Sequence, residues 1–379
     1  MQINAAVLRE SGLGLPYATS RPLAVEQLHL DPPGPGEVLI QIKAAGLCHS
    51  DLSVINGNRP RPVPMALGHE AAGVVVEVGP DAGGSGPELS PGDHVVLVFV
   101  PSCGHCEPCS VGRPALCEPG AAANGAGTLL SGERRLSDAQ GTPVNHHLGC
   151  SAFADHAVVS RRSVVKVDPD LPWTEAALFG CAVLTGVGAV FNTAQVPAGS
   201  SVAVIGLGGV GLSSLLGAVA AGARQVVAVD LSDEKLAFAR ELGATETVNA
   251  ADAEAVQQIR DLTGGGVEYA FELAGSIPAL QTAVDITRRG GTTVTAGLPH
   301  PDARLPLSPV LLVGEERTLK GSYIGTAVPL RDVPRYIALY RRGRLPVDRL
   351  LSGVLPLDRI NEGFDELHAG RTVRQVVTL

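Results

Sequence analysis

The stretch Val202-Ala203-Val204-Ile205-Gly206-Leu207-Gly208-Gly209-Val210-Gly211 decides the fold of this chain. Ser201–Gly206 reads as a buried strand, and Gly206, Leu207, Gly208, Gly209, Val210 and Gly211 fit G-x-G-x-x-G at its end. Alone the motif is weak, but its setting supports it. Val210–Ala223 reads as a helix, and a second strand, Gln225–Asp230, ends in a carboxylate 19 residues after Gly211. The glycines permit a tight turn and let a pyrophosphate approach backbone N–H groups where the helix dipole is positive. Asp230 can accept from both hydroxyls of a ribose and would repel a 2′-phosphate, which favours NAD over NADP. The structural alternative is a glycine-rich turn with an unrelated capping Asp. Lys235 lies on the next helix, Asp233–Leu242, which Ser232 caps; it either flanks the adenosine ribose or is an ordinary surface lysine.

Outward from this unit, Tyr269–Glu272 and Gly291–Ala296 also look like short buried strands. Strands alternating with helices from about Val183 to Tyr323 argue for a doubly wound parallel sheet covered on both faces. The texture before it differs. From Met1 to about Ala182, β-type runs such as Glu37–Lys43, Gly73–Val78 and His94–Val100 are separated by turns such as Pro32–Gly36 and Pro80–Gly86. From Ile324 onward the texture is mixed. The chain therefore divides as 1–182, 183–323 and 324–379, an α/β protein of two domains, in keeping with 379 residues at roughly 150 per domain.

A hydrophobic share of 45% against 18% charged supports a large core and rules out wholesale disorder. A net charge of −9 without a basic run excludes the footprint of a nucleic-acid binder. No charge lies between Glu175 and Arg224, and Ser201–Ala223 mimics a membrane span. Gly206, Gly208, Gly209 and Gly211 break that run, and the remaining stretch to Ala223 is too short to cross a bilayer. The N-terminus has no basic region before an apolar core and the C-terminus no lipidation motif, so a cytoplasmic protein is expected.

Seven cysteines, an odd number with four in one cluster, point to metal rather than disulfides in a reducing compartment. Cys103, Cys106, Cys109 and Cys117 form C-x2-C-x2-C-x7-C within a lobe at 101–118. Four thiolates can surround one tetrahedral zinc with no open position, a structural site; an iron–sulfur cluster and a disulfide pair are the rivals. Cys48 lies in Gly46-Leu47-Cys48-His49-Ser50-Asp51, His69 follows in Gly68-His69-Glu70, and Cys181 precedes the nucleotide unit. Two cysteines and one histidine leave zinc a fourth place for water or substrate, the catalytic pattern. Separations this large in sequence are equally compatible with buried structural cysteines. Cys150 reads as a small buried hydrophobe. His146 and His147 are adjacent, so their side chains diverge, and loop or pocket wall is the better expectation.

Taken together, Cys48-His49-Ser50-Asp51, Gly68-His69-Glu70, the four-cysteine lobe, Cys181 with Thr185, and the glycine motif with Asp230 resemble the zinc-dependent alcohol dehydrogenases of the medium-chain dehydrogenase/reductase superfamily. The likeness runs over almost the whole chain. It implies a GroES-like β-rich catalytic domain, with a Rossmann coenzyme domain inserted into it and a cleft holding zinc and nicotinamide. By position, it implies Cys48, His69 and Cys181 as catalytic zinc ligands, with Glu70 near the metal. Asp51 would orient the imidazole and Ser50 would meet the substrate oxygen. His49 and Arg374 would contact the cofactor pyrophosphate, and Thr185 and Val210 the nicotinamide. Phe99, Leu148, Leu298 and Tyr323 would line the substrate pocket. Ser53 stands where some relatives carry a histidine that ends a proton relay, so the resemblance implies that the relay leaves by water, His49 or another group. The long segment from Cys117 to Phe153 resembles that of dimeric members and favours a homodimer.

The expected activity is hydride transfer between a primary alcohol, aromatic or bulky, and NAD, with two zinc ions per chain and a small-molecule alcohol or aldehyde as partner. A thiol-dependent formaldehyde dehydrogenase and a polyol- or threonine-type dehydrogenase are the alternatives within the superfamily. A nucleotide-binding protein without catalysis is the alternative outside it.

Overall fold

The structure, a computed structural model, describes residues 1–81 and 86–379. The turn expected across Pro80–Gly86 lies mostly outside the described residues. The chain forms two compact units: Met1–Cys181 with Val328–Ile337 and Leu351–Leu379, and Ala182–Ala327 with Ala338–Leu350.

The first unit carries a small closed barrel and an open sheet. The barrel joins Gln2–Leu8, Leu23–Leu30, Leu136–Ser137, Pro143–His146 and Met65–Ala66. In the open sheet, Glu37–Gly46 is central and pairs antiparallel with Ala71–Val78, His156–Ser160 and the C-terminal strand Arg374–Thr378. It extends past the expected Glu37–Lys43 because Ala44 and Ala45 pair directly with Ala72 and Ala71. Small side chains let two crowded strands approach there, a reason invisible to β-propensity. Conversely, the strand expected over His94–Val100 ends at Leu97.

This register places the functional side chains. An antiparallel pair brings the end of one strand beside the start of the other. Cys48 follows Glu37–Gly46 and His69 precedes Ala71–Val78, so both fall at one end of the sheet. Gly46 N–H donates to the Glu70 carbonyl at 2.7 Å, and Leu47 N–H to the Gln375 carbonyl at 2.9 Å, closing that end. Cys181 arrives from the third side. Ala71 pairs with Leu97, and a Cβ on Gly180 would lie 2.2 Å from the Leu97 carbonyl oxygen. Only glycine allows that approach, which sets Cys181 against the same sheet end. The core behind it includes Val38, Ile40, Ile42, Val75, Val95, Leu97, Phe153 and Phe364. Full burial of each such side chain stabilises by ~1.5–3 kcal/mol.

The second unit is a six-stranded parallel sheet. In chain order its strands are Ser201–Ile205, Gln225–Asp230, Glu246–Asn249, Val267–Glu272, Thr287–Thr295 and Thr318–Gly321, and across the sheet they run third, second, first, fourth, fifth, sixth. This is the doubly wound order of a dinucleotide fold. All of Ser201–Ile205 is buried, as a strand covered on both faces requires. Helices Gly209–Ala220 and Asp233–Glu241 follow the first two strands, and Ser232 Oγ accepts from Lys235 N–H at 3.4 Å as the cap. Among the described residues, no helix is long and apolar enough to cross a membrane.

Candidate active site and metal centres

Cys48, His69, Glu70 and Cys181, all buried, bring ligand atoms within 4.8 Å of one another. The His69 ring is fixed from behind: its Nδ1 lies 3.0 Å from Asp51 Oδ1, and neither residue is exposed. Gly68 N–H also donates to that oxygen, at 3.3 Å. With the Nδ1 proton directed at Asp51 Oδ1, the Nε2 lone pair faces the thiols. Nε2 is buried and has no hydrogen-bond partner among the described residues. An orphaned imidazole nitrogen beside two thiols fits a zinc ion.

The electrostatics agree. A hydrogen bond from Cys181 lowers Cys48 well below the ordinary thiol value; burial opposes this and the Arg374 charge assists. The same hydrogen bond, with burial, raises Cys181 well above the ordinary thiol value. Burial pushes Glu70 up to about 7, although Arg374 pulls the other way. Arg374 is buried here. Its Nη1 donates to the Leu47 carbonyl at 2.9 Å and lies 3.4 Å from Glu70 Oε2, an ion pair that sequence reasoning did not foresee. Burial works against ionising Asp51, but the facing imidazoles outweigh it and its carboxyl lies below the usual range.

Helix His49–Ile55 is capped at position Cys48, so Ser50 stands inside the first turn and does not cap it. Its hydroxyl is thus not claimed by the helix end. The Ser53 hydroxyl donates to the His49 carbonyl at 2.7 Å, and His49 itself is exposed. Phe99 meets the His69 ring edge-on at 5.2 Å and 88°. Leu148 is buried in the first unit, whereas Leu298 and Tyr323, in the second, are 56% and 42% exposed.

The four-cysteine lobe forms a second cluster, its sulfurs again within 4.8 Å of one another. Cys106 Sγ lies 3.9 Å from Cys117 Sγ. Tetrahedral Zn–S bonds of ~2.3 Å place sulfurs ~3.8 Å apart, so the set matches one mononuclear ion. Among the described residues no disulfide forms. Backbone N–H groups of Cys103 and Gly120 point at Cys117 Sγ, and that of Cys106 at Cys103 Sγ, favouring thiolates.

In the second unit, Gly206 has φ +89° and a Cβ there would lie 2.6 Å from Ala274 N. A Cβ on Gly211 would lie 1.7 Å from the Gly206 carbonyl oxygen. A Cβ on Gly208 would meet nothing within 4 Å, and the helix that starts after it has no side-chain cap. The protein itself demands glycine at 206 and 211. At 208 it leaves open space beside uncapped N–H groups, a cradle that fits a dinucleotide phosphate. Leu207 and Gly209 complete that turn. Asp230 Oδ2 accepts from Leu207 N–H at 2.6 Å and Oδ1 from Ser232 N–H at 3.0 Å, pinning the turn to its strand. Both oxygens retain lone pairs for a ribose. The Lys235 side chain is half-buried. Thr185 lies on helix Ala182–Gly188, and a Cβ on Gly186 would come within 2.3 Å of the Val210 carbonyl, so that helix lies against the start of the motif helix.

Known proteins share this fold and much of this sequence. The family model for the alcohol dehydrogenase GroES-like domain matches residues 34–169, and that for zinc-binding dehydrogenase matches 209–342. The S-(hydroxymethyl)glutathione dehydrogenase of Paracoccus denitrificans is 38% identical over 386 residues, covering 100% of both chains. The class-3 alcohol dehydrogenase of Cereibacter sphaeroides is 36% identical over 387 residues, with the same coverage. The solved benzyl alcohol dehydrogenase of Acinetobacter calcoaceticus superposes with a TM-score of 0.90 at 32% identity, covering 100% of this chain and 99% of that one. The chain belongs to the zinc-dependent alcohol dehydrogenases of the medium-chain dehydrogenase/reductase superfamily. It is an oxidoreductase of alcohols, with zinc and NAD as its cofactors.

One residue near the centre was not foreseen. His147 is buried with its Nδ1 3.1 Å from the same Asp51 oxygen that holds His69. Its neighbour His146 turns away and accepts from Arg135 N–H at 3.0 Å. The doublet signals divergence, but sequence alone does not say which ring faces inward.

Proposed function

We propose that this chain interconverts primary alcohols and aldehydes with NAD, taking aromatic or bulky substrates. The observation that carries this reading is the unpaired, buried His69 Nε2 among Cys48, Cys181 and Glu70, with the Phe99 ring edge-on beside it. When bound, zinc supplies Lewis acidity that acidifies a hydroxyl, and NAD supplies the hydride acceptor. Cys48, His69 and Cys181 would hold the metal, and Glu70 lies nearby with Arg374 as counter-charge. Asp51 keeps the His69 proton on Nδ1. Ser50 receives the alcohol proton at Oγ and passes it toward exposed His49; Ser53, engaged by the His49 carbonyl, takes no part. Phe99 and Leu148 exclude water from the reacting carbon. On the cofactor side, Gly206, Leu207, Gly208, Gly209 and Gly211 cradle the pyrophosphate, His49 contacts it, and Val210 packs the nicotinamide. Asp230 and Lys235 take the ribose. Thr185 packs the nicotinamide, with Leu298 and Tyr323 toward the substrate. In balance, RCH2OH and NAD+ give RCHO, NADH and a proton.

A second reading, oxidation of a formaldehyde–thiol adduct, is favoured by the 38% identity to S-(hydroxymethyl)glutathione dehydrogenase over the full chain. Initial rates with benzyl alcohol, and with formaldehyde in the presence and absence of glutathione or mycothiol, separate the two. Turnover of benzyl alcohol without thiol supports the first reading. Formaldehyde turnover strictly dependent on thiol, with benzyl alcohol inert, overturns it. Zinc analysis accompanies the panel: two ions per chain are expected, with one lost, and turnover abolished, in Cys181→Ser.

We also infer a homodimer. The outer strand Thr318–Gly321 is exposed throughout, and Val310 and Val313 on helix Pro309–Gly314 are 76% and 80% exposed. A bare strand edge beside apolar side chains favours pairing with a second copy. Light scattering after size exclusion should give twice 38.9 kDa; a monomer mass would refute this.

A further inference from the structure

We propose that His147 is a positioning residue of the metal centre, acting through Asp51 on the ligand His69. The inference rests on the proposed zinc site. Three buried groups converge: Asp51, His69 and His147 bring nitrogen and oxygen atoms within 4.8 Å of one another. Asp51 Oδ1 lies 3.0 Å from His69 Nδ1 and 3.1 Å from His147 Nδ1. The two imidazoles stand edge to face, centroids 5.6 Å apart at 89°. The Nδ1 of His147 and Oδ2 of Asp51 are both buried without an aligned hydrogen bond among the described residues. The group that can satisfy the His147 nitrogen is Asp51 Oδ1, 3.1 Å away, and buried polar groups that lack a partner are rare.

The backbone holds His147 in this place. His147 N–H donates to Ser151 Oγ at 3.0 Å, and the N–H groups of Cys150 and Ser151 return to the His147 carbonyl at 3.0 and 3.2 Å. Leu148 and Ser151 adopt φ of +50° and +51°, a left-handed conformation that side chains other than glycine resist. The turn is then tied to the strand leading to the ligand itself. Ala152 N–H donates to the Gly68 carbonyl and Phe153 N–H to the Leu67 carbonyl, both at 3.0 Å. A strained turn bonded to the residues that precede His69 delivers one imidazole to the carboxylate that orients another. With protons on both Nδ1 atoms, Asp51 is clamped between two rings, and the Nε2 lone pair of His69 is aimed at one point.

The test uses the zinc-loaded protein and a chromogenic zinc chelator. His147→Phe keeps the ring shape and removes the N–H; it should speed release of the Cys48/His69/Cys181 zinc about tenfold, the low end for loss of an outer partner. The visible bands of the cobalt-substituted protein should shift with it. His147→Asn, with an amide N–H close to the Nδ1 position, should return both toward the parent. In Asp51→Ala, which removes the acceptor, adding His147→Phe should change nothing further, because the two act through one contact. Release rate and cobalt bands unchanged by His147→Phe, or an Asn variant no better than Phe, would overturn the proposal. Should His147→Phe fail to fold, the unmodified zinc protein decides. An exchange-protected, downfield Nδ1–H resonance of His147 that vanishes in Asp51→Ala is expected, and its absence overturns the proposal. Failure of the underlying site looks different: Cys181→Ser would then retain both zinc ions.

Discussion

His146 makes stability depend on pH in a way that its surroundings specify. The ring is buried, and its Nε2 accepts from Arg135 N–H, which requires a lone pair there. Burial, with the Arg134 and Arg135 charges, lowers it from 6.5 to about 3. In the unfolded chain the ring takes its proton near 6.5, so between pH 6.5 and 3 the unfolded state binds more protons than the folded one. Stability is then full above 6.5 and falls as pH falls through that window. At 1.36 kcal/mol per unit, the loss at pH 5 is ~2 kcal/mol. His146→Gln keeps an acceptor for Arg135 N–H and cannot titrate. It should lose ~2 kcal/mol less than the parent between pH 7 and 5.

Hydrogen exchange of the peptide spanning residues 129–160 reads the effect, with protection factors corrected for intrinsic rates. Other acid-sensitive groups, zinc thiolates included, are common to both proteins and cancel in the difference. Parallel protection profiles for parent and variant from pH 7 to 5 would refute the reasoning, because a ring that costs nothing to protonate is not held neutral by its site.

Cys109→Ser should remove the lobe zinc and lower the melting temperature of the first unit while the second zinc stays; metal analysis with calorimetry checks this, and loss of neither ion would refute it. Gly211→Ala should abolish NADH binding and destabilise the second unit, since its Cβ would meet a carbonyl oxygen at 1.7 Å. Gly208→Ala should fold like the parent yet weaken NADH, and fluorescence titration with thermal melts separates the pair. Asp230→Asn should narrow the preference for NAD over NADP about tenfold or more. A like charge ~4 Å away is worth ~4 kcal/mol at an effective dielectric of 20, so tenfold is the lower bound, and an unchanged ratio of kcat/KM values would count against the role of Asp230.

The fold was legible where residues are punctuated by chemistry. The glycine motif, its preceding strand and the apolar run Gln225–Asp230 announce a doubly wound sheet, and the sheet is there. Glu246–Asn249 and Thr318–Gly321 went unread because edge strands bury little and carry no apolar run. The four-cysteine lobe is local, so its spacing alone is informative. Cys48, His69 and Cys181 belong to three segments, and their meeting depends on a strand register and on the Gly180–Leu97 approach, neither of which spacing encodes. The Glu70–Arg374 pair and the inward turn of His147 were hidden for the same reason. Each depends on backbone from a distant segment: the returning C-terminal strand in one case, the left-handed turn at Leu148 in the other.

The division of labour between the units has a testable consequence. Every group proposed for the metal centre, from Cys48 and Asp51 to His147 and Cys181, belongs to the first unit. The glycine turn, Asp230 and the helix that supplies the uncapped N–H groups belong to the second, and the bonds that shape the turn, Leu207 to Asp230 and Ser232 to Asp230, are internal to it. Removing a zinc ligand therefore leaves the dinucleotide cradle intact. Cys181→Ser should bind NADH with parental affinity, read by quenching of the single tryptophan or by NADH fluorescence, while catalysing nothing. Affinity reduced tenfold or more, ~1.4 kcal/mol, would mean that the metal centre and the cradle fold or close as one device, and the assignment of separate tasks to separate units would have to be withdrawn.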